Sequence, residues 1–198
     1  MTTYSNLKYD HPFSSNATGT GSLTLISSQT ASASANISFT SGIDSTYDEY
    51  VFKFINIHPQ TDITHFQFQG STDGGSNYNT TITSTVFRAY HDETGTYTGL
   101  EYSTDQDLAQ STSYQNLQNN VGGDNDQCKS GILHLYNPSD TTFVKHFIYT
   151  GNKVQHNDFA VNNYIAGYFN TTSAINAVDF KFSSGNIDDG TILMYGVK

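Results

Sequence analysis

The chain reads as an all-β protein: an antiparallel two-sheet β-sandwich or jelly roll of about ten strands behind an N-terminal arm. Three observations lead there. Apolar and polar residues alternate in run after run, which is the period of a half-buried strand. Turn-forming Gly, Asn, Asp and Ser separate these runs at short intervals. No stretch shows the 3.6-residue periodicity of a core-building helix. Composition agrees, since only 35% of residues are hydrophobic while 14 Tyr and 13 Phe supply the bulk. At 198 residues one β domain can hold the whole chain.

Residues 1–20 are mostly polar, with a local knot of Leu7, Tyr9, Pro12 and Phe13, and end at a Gly-Thr-Gly break, so they read as an arm. With Leu7, Tyr9 and Phe13 as its anchors, the arm is expected to dock on another subunit. The single domain is expected over 21–198. Leu23 and Leu25 alternate with polar residues, and Ala31, Ala33, Ala35, Ile37 and Phe39 continue the alternation, predicting a strand with one buried face. YVFKFINI at 50–57 is a strand ended by Pro59. ITHFQFQ at 63–69 is expected to pair beside it as the return strand. Asp73-Gly74-Gly75 then signals a hairpin into TITSTVFRAY at 81–90.

The stretch 91–129 differs in character. It carries Asp92, Glu93, Glu101, Asp105, Asp107, Asp124 and Asp126, with no basic residue before Lys129. It is expected as a long acidic excursion from the core, holding a short strand near 100–102 and one helical turn near 113–117. Strand signals resume at 131–137, 141–150, 161–169 and 175–183, and TILMYGV at 191–197 closes the chain.

Charge excludes several roles. The formal net charge is −10, and Arg88 is the single arginine. A nucleic-acid surface needs clustered Lys or Arg to displace counterions, so no nucleic-acid partner is expected. The same argument removes anionic membranes, and no apolar window reaches the length of a membrane span. One cysteine, Cys128, excludes an internal disulfide and a Cys-based zinc site. The opening residues lack a basic stretch followed by an apolar run, so synthesis in a cytoplasm is expected.

Three blocks carry a resemblance: QGSTDGGSNYN at 69–79, SGILHLYNP at 130–138 and INAVDFKFSSGNIDDGTILMYGV at 175–197. They resemble small β-sandwich virion proteins of tailed phages, notably marine and cyanobacterial ones, and the likeness spans roughly residues 21–198. In that pattern Ser184-Gly185-Asn186 makes the turn between the last two strands, Gly190 opens the final strand and Tyr195-Gly196 closes it. The resemblance implies a fold and a structural role on the particle. It supplies no catalytic residues.

The seven histidines, at 11, 58, 65, 91, 134, 146 and 156, show no spacing for a triad, and no G-x-S-x-G elbow is present. His65, His134 and His146 lie in strand signals, where two could share a face. A metal would also need a carboxylate there, so no metal and no cofactor are expected. Asp44, Asp48 and Glu49, the pair Asp124 and Asp126, and the pair Asp188 and Asp189 form the carboxylate clusters; GGDNDQ lacks the full calcium-loop pattern, and solvated turns are expected. The Tyr-rich stretches TYTGLEY at 96–102 and VNNYIAGYF at 161–169 could stack on sugars in a receptor-binding role. A place in the core or an interface is the expected reading, with Tyr164 and Tyr168 as interface residues, since a ring with a polar tip suits a protein contact.

The expectation for function follows. The chain is read as a non-enzymatic phage structural protein of the virion, a capsid decoration or cement protein that binds and stabilises the assembled shell as a homotrimer. Its partners would be the major capsid protein or other virion proteins. The alternative is a tail-fibre or adhesin subunit that binds host-surface glycans, followed by a tail-associated glycan-active enzyme with paired carboxylates in a cleft.

Overall fold

The structure, a computed structural model, describes residues 22–198. Its strands are β1 (Thr24–Thr30), β2 (Ile37–Phe39), β3 (Glu49–Pro59), β4 (Thr64–Ser71), β5 (Ile82–Asp92), β6 (Thr98–Tyr102), β7 (Gln115–Val121), β8 (Lys129–Tyr136), β9 (Lys145–Gln155), β10 (Phe159–Phe169), β11 (Ala177–Phe182) and β12 (Ile187–Val197). No helix occurs among the described residues. The all-β expectation holds.

All twelve strands belong to one antiparallel sheet that nearly closes into a barrel. Its path runs β1-β12-β3-β8-β9-β7-β4-β11-β2. A single stretch of chain, 24–39, laces the two ends together. β1 pairs with β12, Ser34 bridges Ile187, and β2 then pairs with β11. Between the two strands Ala31 N–H donates to Gly190 O and Ala33 N–H to Asp188 O, so the crossing backbone stays hydrogen-bonded. β9 is the branch point. It pairs with β8 along one edge, while its other edge carries β10 over its full length and touches β7 only at Gln155, opposite Val121. β10 in turn carries β5, and β5 carries β6.

This architecture corrects several sequence readings. The alternating run from Ala31 to Phe39 is not one strand: Ala33 adopts a positive φ of 50° and, with Ala35, is exposed. The chain leaves β12 there to reach β11, and alternation cannot register a change of partner. β4 is not the return strand of β3; it pairs with β7 and β11. β3 and β4 face each other across the interior, where Phe54 meets Phe66 at 5.4 Å between ring centroids. Asp73-Gly74-Gly75 forms a turn, with φ of 72° and 88° at the two glycines, but joins strands that do not pair. The Asp73 carboxylate accepts from the Ser71 hydroxyl and from the Asn77 backbone and side chain, which holds its pKa down to about 2. The residues at 113–117 form no helical turn; β7 begins at Gln115 and buries Leu117 and Val121. The acidic stretch is therefore partly an interior wall, although β6 lies where a short strand was expected.

The interior is aromatic. Phe180 of β11 contacts Phe39, Phe52, Phe54, Phe66 and Phe68 at centroid distances of 5.1–6.3 Å, so strands from several walls meet on one ring. Such edge-to-face and offset pairs add to the stabilisation from burial alone. A second cluster joins Phe68, Phe147 and Phe169. Tyr149 is fully buried and lays its phenol over Gly131 and Gly151, which are direct partners across β8 and β9. A Cβ on Gly151 would sit 2.0 Å from the Tyr149 hydroxyl, so glycine here makes room for the ring.

Candidate interaction face

One outer face of the sheet presents large side chains to solvent. The register aligns Tyr102, Phe87, Tyr164, Thr150, Ile132 and Lys53 as successive partners across β6, β5, β10, β9, β8 and β3. Phe87 and Tyr164 are direct cross-strand partners whose rings stack at 4.8 Å and 9°. Both remain exposed, at 45% and 37%. Tyr102, Ile132, Ile148 and Leu100 are exposed on the same face. The row from Tyr102 to Ile132 contains no charged residue, in a chain with 18 Asp and Glu. Charge depletion with aromatic enrichment is the composition of an interface centre, and a contiguous exposed apolar patch on a folded domain marks a binding surface.

A shallow groove of about 380 Å³ continues this face toward the Phe169 end of β10. Ala166, Thr83, Thr85, Ile148, His146 and Tyr168 are among the residues that line it. His146 and Tyr168 are direct partners across β9 and β10, and their rings lie 6.0 Å apart. The structure therefore brings Tyr164 and Tyr168 onto one face, four residues apart on β10. Leu7, Tyr9 and Phe13 lie outside the described residues.

Tyr102 lies in the Tyr-rich stretch 96–102 that the sequence reading singled out, whereas Phe87, Ile132 and Ile148 escaped it. Their signal was present as strands carrying bulk on both parities: Val86 beside Phe87, Leu133 beside Ile132, and Ile165 beside Tyr164. In each pair the first residue is buried and the second exposed.

The histidine and carboxylate clusters resolve into local contacts. His134 Nδ1 bonds the Glu49 carboxylate across β8 and β3. His65 accepts from Asn120 N–H, and burial pushes its pKa down. Asp44 Oδ1 accepts from Thr46 N–H, closing a turn, and Thr46 holds that carboxyl below its ordinary value. His58 lies 3.7 Å from Asp188 and 3.2 Å from the Asp124 carbonyl. Among the described residues no three His, Cys, Asp or Glu side chains are placed to hold a metal ion.

Three lysines are buried: Lys145, whose ammonium donates to the carbonyls of Phe143 and Thr171, and the pair Lys129 and Lys153. Lys129 and Lys153 are direct partners across β8 and β9 and are 1% exposed. The Lys153 ammonium donates to the backbone carbonyl and side chain of Asn119, yet burial, followed by the field of Arg88, pushes its pKa down to about 7. Lys129 Nζ has no hydrogen-bond partner among the described residues and lies 3.5 Å from the Phe66 ring centroid. Burial and Lys153 push it well below its ordinary value. Neither amine is reachable from solvent, so this pair serves the interior rather than a site.

Comparison with protein-family models, curated proteins and solved structures finds no match to this chain.

Proposed function

We propose that this chain is a structural virion protein of a tailed phage, a capsid decoration protein that binds the outside of the assembled shell through the Phe87–Tyr164 face. The observation that carries a binding role is that face: stacked, exposed aromatic rings in an uncharged row on a strongly acidic chain. A surface of this kind stabilises a complex by removing apolar area from water, while the acidic remainder of the molecule keeps free copies from associating non-specifically. The phage assignment rests on the likeness of residues 69–79, 130–138 and 175–197 to small virion β-proteins. The sandwich or jelly-roll form expected of such proteins is part of the same proposal. So is a homotrimer, because threefold symmetry lets one patch act at three joints of a shell.

The proposed mechanism involves no chemistry. A protein that binds the assembled shell but not its separated pieces shifts the equilibrium toward assembly by mass action. The test is a phage lacking the gene, measured for heat resistance and for adsorption to cells. Loss of the genome at lower temperature with normal adsorption is expected. Normal heat resistance with failed adsorption would overturn the decoration role and place the protein on the tail as a fibre or adhesin.

A further inference from the structure

At one end of the sheet, the turn joining β5 to β6 and the turn joining β9 to β10 flank an open cleft of about 680 Å³. Small-molecule sites fall in this range of volume. Tyr97 lies in the cleft wall with 63% of its surface exposed, and its ring stacks near-parallel on Phe159 at 6.5 Å and 29°. Phe159 is backed by Tyr90 at 6.1 Å. The polar lining is mostly acceptor, the exposed carboxylates of Glu93 and Asp158 and the Thr94 hydroxyl oxygen, whose proton goes to Asp92, with the Asn157 amide as a donor. Asn157 Oδ1 is occupied by Gln155 Nε2 at 2.8 Å, which leaves the Asn157 NH₂ free to donate outward.

The two turns are held in place without any ligand. Asp92 Oδ1 accepts from the N–H groups of Thr96 and Tyr97 at 2.9 and 2.8 Å, and Oδ2 accepts from the Thr94 hydroxyl. Asp92 is thereby consumed in shaping the loop that presents Tyr97. Glu93 N–H donates to Asp158 O at 3.1 Å, tying one turn to the other. A site whose walls are ordered beforehand binds without an ordering penalty.

We propose that this cleft is a binding site for a neutral saccharide, one pyranose ring stacked on Tyr97 with its hydroxyls shared among Glu93, Asp158, Asn157 and Thr94. An open aromatic face complements the C–H face of a sugar. Carboxylates accept from paired hydroxyls, and an amide NH₂ supplies the donor they lack. No Lys, Arg or His lines the cleft, so the carboxylates of Glu93 and of Asp158, whose Oδ1 also accepts from Gln127 Nε2 at 3.4 Å, exclude acidic sugars. The proposal goes beyond the decoration role and is independent of it, because it concerns the opposite chemistry at a different part of the surface: a polar cleft rather than the uncharged sheet face.

The test uses the purified full-length chain and saturation-transfer NMR against methyl glycosides of glucose, galactose and mannose and against N-acetylglucosamine. Sialyllactose and choline serve as the anionic and cationic comparisons. Saturation is expected on the C–H face of at least one neutral sugar, with a dissociation constant in the millimolar range. Tyr97→Ala should weaken that binding at least tenfold and Tyr97→Phe should retain it, with circular dichroism melts unchanged because Tyr97 is exposed. Glu93→Gln should weaken it to a smaller degree. Absence of transfer to every neutral sugar, binding unaffected by Tyr97→Ala, or a preference for choline over all sugars would each overturn the proposal. None of these results bears on particle heat resistance, so the two proposals fail separately.

Discussion

Lys129 and Lys153 show how a single residue type can oppose the fold that contains it. Each is a long cation placed among aromatic rings and backbone, with no carboxylate bonded to it among the described residues. Burying an amine without full pairing is expensive, and the group sheds its proton instead. Lys153 titrates near 7 in the fold against an ordinary 10.5, so between these values the unfolded chain binds more protons than the folded one. Stability therefore rises with pH across that window; below about 7 the amine is charged in both states and the penalty is constant. The neighbouring charges that set this balance are Lys129, Arg88 and Asp105. Urea midpoints measured from pH 6.5 to 9.5, before buried phenols such as Tyr149 begin to ionise in the unfolded chain, should climb in the parent protein. Lys153→Met should be more stable at pH 7 and show a flatter profile. An unchanged slope would mean that Lys153 is not the titrating group.

At the scale of elements, closure of the sheet depends on a three-residue strand. β2 spans only Ile37–Phe39 and pairs with β11 alone, so its own ladder is a weak attachment. Asp179 of β11 supplies the rest. This 1% exposed carboxylate accepts from Asn36 Nδ2 at 2.6 Å, from the Ser38 hydroxyl and from the Tyr114 hydroxyl at 3.0 Å. It joins β2 to the chain entering β7. The Tyr114 phenol is raised in turn, first by burial and then by the Asp179 charge. Hydrogen bonds to a charged group are the stronger kind, and removing the acceptor strands three donors. Asp179→Ala should lower stability by about 3 kcal/mol, read from equilibrium denaturation. Hydrogen exchange should rise first in β2 and at 31–36. A uniform loss of protection across the sheet would instead show that β2 does not open separately.

Over the whole molecule, a nearly closed sheet leaves few free strand edges, which limits edge-to-edge association. Binding then has to use a face, and the Phe87–Tyr164 face is the apolar one on offer. Because these rings are exposed, charge can be placed there without disturbing the interior. Phe87→Glu combined with Tyr164→Glu should leave the melting temperature within a few degrees of the parent and reduce attachment to shells lacking the protein by at least tenfold, measured by co-sedimentation. Attachment at parental strength would remove this face from the proposed function. Residues 1–20, expected to dock on a neighbouring subunit, belong to the same experiment: a variant lacking 2–18 should fold and attach more weakly.

What was legible in the sequence was local. Alternation in β3, β5, β8, β9, β10 and β12, turn chemistry at Asp73-Gly74-Gly75 and Ser184-Gly185-Asn186, and the absence of helical periodicity determined an antiparallel all-β protein, because backbone and turn preferences act over a few residues. Tyr164 and Tyr168 were legible only as candidates for an interface or the core, because a ring with a polar tip suits either. Partner choice was not. That β4 faces β3 across the core, that 24–39 changes strands midway, and that β7 is an interior wall all depend on contacts between residues far apart in sequence, which alternation does not encode. The sheet face and the cleft belong to this second kind. The Tyr-rich segments 96–102 and 161–169 were marked as candidates in the sequence, but Phe87 meets Tyr164, and Tyr97 meets Phe159, only once β5, β6 and β10 lie side by side, so the surfaces themselves are assembled by tertiary pairing.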